Sequence, residues 1–308
     1  MPSDAAAERA EKVSASPLTS LPDPLLLSHV LCRLDARSLA RLNQTATSFS
    51  ERRPESEGWG GRSIVDEAAR LVYERRDDHA QCPPVPGVPY VRLLGELEQL
   101  AAPLGRTFSG GSHGDVGIES GEAGGAVVTK LLGANRANIG RGWRINMSAD
   151  RGWGTAVCRG AVMRAGTHFA EFTVLRDQSY GSGILVGVCR ADFRPTSELR
   201  ATATAAGWGL STATGLLRHN GDSRTWVGQQ PVRVGETLGL LLDFSERKLT
   251  AYKNGERLGL VAAGSAWQGE DDGLTDAPLC WMVQLYYEND AVRVESKPCP
   301  CVRNPNSD

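Results

Sequence analysis

Ser112 stands in Gly110-Gly-Ser-His-Gly114, the spacing that sets a hydrolase nucleophile on a sharp turn. Such a turn needs a buried strand before it and a helix after it. The flanks 104–108 and 115–119 carry neither pattern, so the segment reads as an interdomain linker and no hydrolase is expected. Cys299-Pro-Cys301 is half of a metal site; no second Cys or His pair follows at ligand spacing, and a frayed tail with two thiols is the reading. Only long-range folding would bring His79 or His113 to it. His168 sits beside Phe169 on an alternating stretch, which suits a satisfied structural histidine better than an acid or base. His219 falls in Arg218-His-Asn-Gly-Asp222, a tight turn between strands, and His29 lies on a leucine-rich helix. Glu171 and Asp243 are acidic residues within strands, and no spacing brings them to the separation that glycoside chemistry needs. Hydrogen bonding to loop backbone is the expectation for both. No catalytic residue, metal or cofactor is therefore expected.

The chain that must position these groups has 308 residues, 41% apolar and 23% charged, with a net charge of −2. That describes a globular chain of about two domains. It lacks the basic excess of a nucleic-acid or membrane-surface binder. No apolar run approaches the ~20 residues of a bilayer span. Residues 1–17 are polar and read as a disordered tail without a signal core, so a cytoplasmic or nuclear location is expected. Seven scattered cysteines, an odd number, suit reduced thiols rather than a disulfide framework.

Composition changes near residue 105. Before it the pattern is helical. Asp23 is a good N-cap with Pro24 at the first helical position, and Leu26, Val30 and Leu34 recur at spacing four. Asp35 can cap a second helix carrying Leu39 and Leu42, and a third near Thr45 carries Phe49. Further amphipathic helices are predicted over 62–78 and 90–100. So many leucines on so small a unit call for cover, from a partner or from the later helices. After about 115 the period is two. Short strand patterns follow at 168–175, 183–189, 208–210, 215–217, 237–244, 248–252, 257–261, 279–286 and 291–295, with Asn254-Gly255 as a hairpin turn. An antiparallel sandwich follows from that spacing.

Two resemblances sharpen this. Leu18–Arg53, with Leu21-Pro-Asp23, the leucine-rich helix, Leu34-Asp35 and Ser38-Leu39-Ala-Arg-Leu42, resembles an F-box. Thr45-Ala46 and Phe49 stand where that family usually has a Val-Cys or Val-Ser pair and Trp. The region 115–297 resembles a SPRY domain. The matching residues are 164–172, Gly183–Val188, Gly207-Trp-Gly209, Val234–Gly239, Leu242-Asp243 and Leu249–Gly255 with Leu258-Gly259. These imply an α+β multi-domain chain: a tail at 1–17, an F-box at 18–53, a helical extension and linker at 54–105, a β-sandwich at 106–298 and a tail at 299–308. They imply an F-box face of Leu21, Pro22, Leu25, Leu26, Val30, Leu34 and Leu39 that enters the groove of a Skp-type adaptor. A protein or peptide target is then held by loops at one sandwich end, where this chain supplies Arg151, Trp153, Arg194, Arg200, Tyr286 and Tyr287. The expected role is substrate receptor of a cullin-type ubiquitin ligase, without catalysis of its own. The alternative is an interaction scaffold outside ubiquitin transfer.

Overall fold

The computed structural model describes residues 22–45, 47–54, 60–102, 116–120, 125–131, 153–178, 183–195, 200–263 and 273–297. The tail regions 1–17 and 299–308, the Gly110–Gly114 segment, Leu21 and Arg151 lie outside the described residues. The described residues form two compact units. One takes in the residues up to His79 together with Pro84–Glu98; the other takes in Ala80–Pro83 and the residues from Gln99 onward.

The first unit is helical: α1 (Asp23–His29), α2 (Ala36–Thr45), α3 (Thr47–Ser50), α4 (Ile64–Glu74) and most of α5 (Tyr90–Ala101), whose residues from Gln99 onward belong to the second unit. Ser63 caps α4, its side-chain oxygen accepting from the Asp66 amide at 3.2 Å. Asp35 does the same for α2 through the Ser38 amide at 2.7 Å. That cap needs Leu34 extended (φ −90°, ψ 147°), so the chain leaves α1 at His29 and passes through a 3-10 turn, Leu31–Arg33. The spacing-four stripe is therefore broken: Leu26 is buried, while Val30 and Leu34 are only half-buried. Asp23 is not the N-cap expected of it. Pro22 takes that place, and the Asp23 carboxylate lies inside the first turn, paired with Arg53 at 2.8 Å. Helix α4 packs against α1, the 3-10 turn, α2 and α3, and its Ile64, Val65, Ala68, Ala69 and Tyr73 are buried. On α5, Glu98 accepts from the Ala36 amide with both oxygens, at 3.1 and 3.2 Å. Leucines that could have waited for a partner are in part covered by these later helices.

The second unit is an antiparallel sandwich. One sheet has the order β1 (Val116–Ser120), β2 (Ala126–Lys130), β13 (Ala291–Ser296), β4 (Thr167–Arg176), β9 (Thr237–Asp243), β10 (Lys248–Lys253), β11 (Glu256–Ala263). The other has β3 (Gly154–Val157), β12 (Leu279–Leu285), β5 (Ile184–Arg190), β6 (Gly207–Ser211), β7 (Leu217–His219), β8 (Asp222–Arg224). Phe172, Val174, Leu240, Leu242 and Leu249 from the first sheet meet Val186, Val188, Trp208, Trp281 and Val283 from the second in one buried core. The Asn254-Gly255 turn joins β10 to β11 with both residues at positive φ, 51° and 83°, as a two-residue hairpin requires.

The polar strand residues are structural. His168 is buried and its Nε2 lies 2.8 Å from the Ala165 carbonyl oxygen. One Asp243 oxygen accepts from the Ser245 and Glu246 amides and from the Ser245 hydroxyl. His219 stacks on Trp208, with ring centroids 4.7 Å apart.

Candidate binding site at one end of the sandwich

Strand register builds the site. Leu285 of β12 pairs with Gly154 of β3, so the residues one step beyond, Tyr286 and Trp153, leave the sheet side by side. Their rings are 5.2 Å apart, and Tyr287 meets Tyr286 edge-on at 4.9 Å. The guanidinium of Arg200 lies 5.0 Å from the Trp153 ring centroid. A pocket of about 80 Å³ opens here, lined by Trp153, Leu185, Arg200, Thr202, Arg218, Gly221 and Asp222.

Its floor is held by buried hydrogen bonds. Gln284, completely enclosed, accepts from the Thr202 hydroxyl at 2.8 Å and donates to the Thr155 hydroxyl at 3.0 Å. This ties β3 and the 3-10 turn Ala201–Ala203 to β12, and Arg200 is the N-cap of that turn. The turn lies flat on β6 because Gly207 and Gly209 have no side chain. A Cβ on Gly207 would come within 2.6 Å of the Ala201 backbone, and one on Gly209 within 2.7 Å of Thr202 Cγ2. On the far side Arg218-His-Asn-Gly-Asp222 forms the expected tight turn, with Asn220 and Gly221 at φ 50° and 82°. Its tip amides donate to the carbonyls of Thr204 and Thr202 at 3.1 and 3.0 Å.

Of the residues expected at this end, Trp153, Arg200, Tyr286 and Tyr287 are brought together. Arg194 is exposed in the segment after β5 and does not line the pocket. Arg218, Thr202 and Gln284 went unnoticed as site residues, although the Asn220-Gly221 turn beside Arg218 was visible. Of the expected adaptor face, Pro22 and Leu25 are exposed and Val30 and Leu34 half-buried. Leu26 and Leu39 are 3% and 0% exposed, so both hold the helices together instead of facing a groove, and α4 packs against the helices that carry them.

Asp290 latches the aromatic turn. It is fully buried, and its two oxygens accept from the Gln178 amide at 2.8 Å and the Tyr287 amide at 3.0 Å. Burial pushes its carboxyl above the ordinary value, the two amides oppose this, and nearby Asp177 adds to the rise. Protonated Asp290 is thus favoured more in the folded chain than in the unfolded one. The stability it contributes is fully present below the unfolded pKa, near about 4, and is lost as pH rises through the folded value. Melting temperatures measured from about pH 3.5 to 7 should therefore fall less with rising pH, or rise more, in Asp290→Asn than in the parent. Parallel curves would contradict this.

No family model matches the chain. It is similar to SPRY domain-containing SOCS box protein 3 of Xenopus laevis, 32% identical over 125 residues, which is 39% of this chain and 34% of that protein. The match thus spans about a third of the relative's length. Among solved structures, the SPRY domain of human HERC1 aligns with a TM-score of 0.41 and 20% identity over 59% of this chain and 93% of that one. The TRIM65 PSpry domain aligns with a TM-score of 0.39 and 16% identity over 63% and 90%.

Proposed function

We propose that the chain is a substrate-recognition subunit of a cullin-type ubiquitin ligase, with the SPRY-like sandwich binding a target protein and the F-box-like helices binding a Skp-type adaptor. The observation that carries the target-binding half is a pocket lined by Trp153, Arg200 and Arg218, with Tyr286 against Trp153 and Tyr287 against Tyr286 beside it, since aromatic and arginine side chains dominate binding hot spots. The Xenopus relative, whose name joins a SPRY domain to a SOCS box, supports the SPRY half of this reading and leaves the F-box half to the helical motif alone. The chain has no catalysis of its own in this reading and needs no cofactor. It acts in the cytoplasm or nucleus by proximity, holding a target lysine near a charged conjugating enzyme.

Adaptor binding is tested at Leu25, which is 49% exposed and lies on α1 beside exposed Pro22. Leu25→Asp should lower capture of a purified Skp-type adaptor by the full chain at least tenfold, because docking would bury an unpaired carboxylate. The melting temperature should stay within about 2 °C of the parent. Burial of Leu26 and Leu39 leaves the outward apolar face smaller than the motif implies. If the parent chain captures no adaptor, or Leu25→Asp captures it undiminished, the interaction-scaffold reading replaces the ligase one.

A further inference from the structure

The pocket beside Trp153 carries two guanidinium groups, Arg200 and Arg218, against one carboxylate, Asp222. Among the described residues Arg200 forms no ion pair; its contacts are the Trp153 ring and the neighbouring charges. Arg218 donates to a neutral partner, the Ser223 hydroxyl. Burial, and then the charge of Arg218, hold the Arg200 guanidinium below its ordinary range. Two cations lining one pocket, one of them partly dehydrated, repel each other, and the single carboxylate there, Asp222, offsets only one of the two charges.

We propose that this pocket seats the carboxylate of an Asp or Glu side chain of an extended target peptide, between Arg200 and Arg218. The inference rests on the reading of this sandwich end as the target-binding site and adds the chemistry of the target. Two guanidinium charges against Asp222 leave one positive charge to balance, which suits a carboxylate; a phosphate dianion would also meet Asp222. Guanidinium forks match a carboxylate geometrically. Trp153 and Leu185 supply apolar wall for the methylene stem. The cradle is set before the peptide arrives, because Gln284 fixes the turn after Arg200 and the 218–222 hairpin is pinned to that turn by its tip amides.

The probe is a set of acetylated, amidated heptapeptide pools. Asp, Glu, Asn, Gln or phosphoserine is fixed at the centre of each pool, and the other positions are randomised. Each pool is passed over the immobilised full chain and the retained peptide quantified. Asp and Glu pools should be retained at least tenfold over Asn and Gln pools, and the advantage should shrink as NaCl rises. It should vanish in Arg200→Gln with Arg218→Gln and survive in part in Arg200→Lys with Arg218→Lys, which keeps the charges should the neutral pair fail to fold. Equal retention of Asn and Gln pools, a preference for phosphoserine, or an acid preference that persists in the folded neutral pair overturns the proposal. If pools bind without acid preference and Trp153→Ala abolishes that binding, the carboxylate assignment alone is lost. If no pool binds, or Trp153→Ala changes nothing, the reading of this end as target-binding falls with it.

Discussion

Leu26→Asp should unfold the helical unit, whereas Leu25→Asp, one residue earlier, should leave it intact. Leu26 is 3% exposed, on a helix packed against α4. Replacing it removes a buried leucine, worth about 2–5 kcal/mol by itself, and places a carboxylate where no cation or amide awaits it. The total loss, on the order of 4–6 kcal/mol, is comparable with the whole stability of a small unit. Far-UV circular dichroism and hydrogen exchange across 22–98 should show lost helix and lost protection in Leu26→Asp, with both retained in Leu25→Asp. A folded Leu26→Asp chain would mean that α1 is not packed as described. The comparison also matters for function, since adaptor binding lost through Leu26 would report unfolding, and only Leu25 or Pro22 reports contact.

Gln284→Leu should cost the sandwich about 2–4 kcal/mol. The side chain is fully enclosed and serves two hydroxyls at once, those of Thr155 and Thr202, which are themselves almost fully buried. Leucine fills the volume but bonds neither, and each buried hydroxyl left unpaired costs about 1–3 kcal/mol. A melting temperature lower by roughly 5–12 °C is expected for a domain of this size. Binding should weaken as well, because the turn that Gln284 anchors carries Arg200 and Thr202 to the pocket. Replacing Thr155 and Thr202 by Val in the same chain should recover much of the stability, since no hydroxyl is then stranded. A Gln284→Leu chain that melts with the parent would show that the hydroxyls find other acceptors.

Much of the architecture was legible because it rests on local chemistry. The Asn254-Gly255 turn, the alternating run around His168, the cap at Asp35 and the tight turn at 218–222 each depend on neighbouring residues. What stayed hidden depends on distant pairing. The stripe of Leu26, Val30 and Leu34 looked like one helix face, and only the competition between the α2 cap and continuation of α1 breaks it at His29. Trp153 and Tyr286 could be named as aromatic loop residues, but their contact follows from the Leu285–Gly154 register, across more than half of the sandwich sequence. Gln284 looked like one more strand residue; that it holds the pocket floor follows from Thr155 and Thr202 arriving from 129 and 82 residues away. Strands β1, β2, β3 and β8 are three to five residues long, too short for an alternating pattern to mark them.

In the proposed function, the sandwich end around Trp153 holds a target protein. The most direct measurement is quantitative affinity capture from one cell lysate by the full chain and by Trp153→Ala with Tyr286→Ala, after matching their melting curves. A set of proteins retained by the parent should be reduced at least tenfold in the variant, with Skp-type adaptor capture equal in both. Identical protein sets captured by two equally folded chains would contradict it.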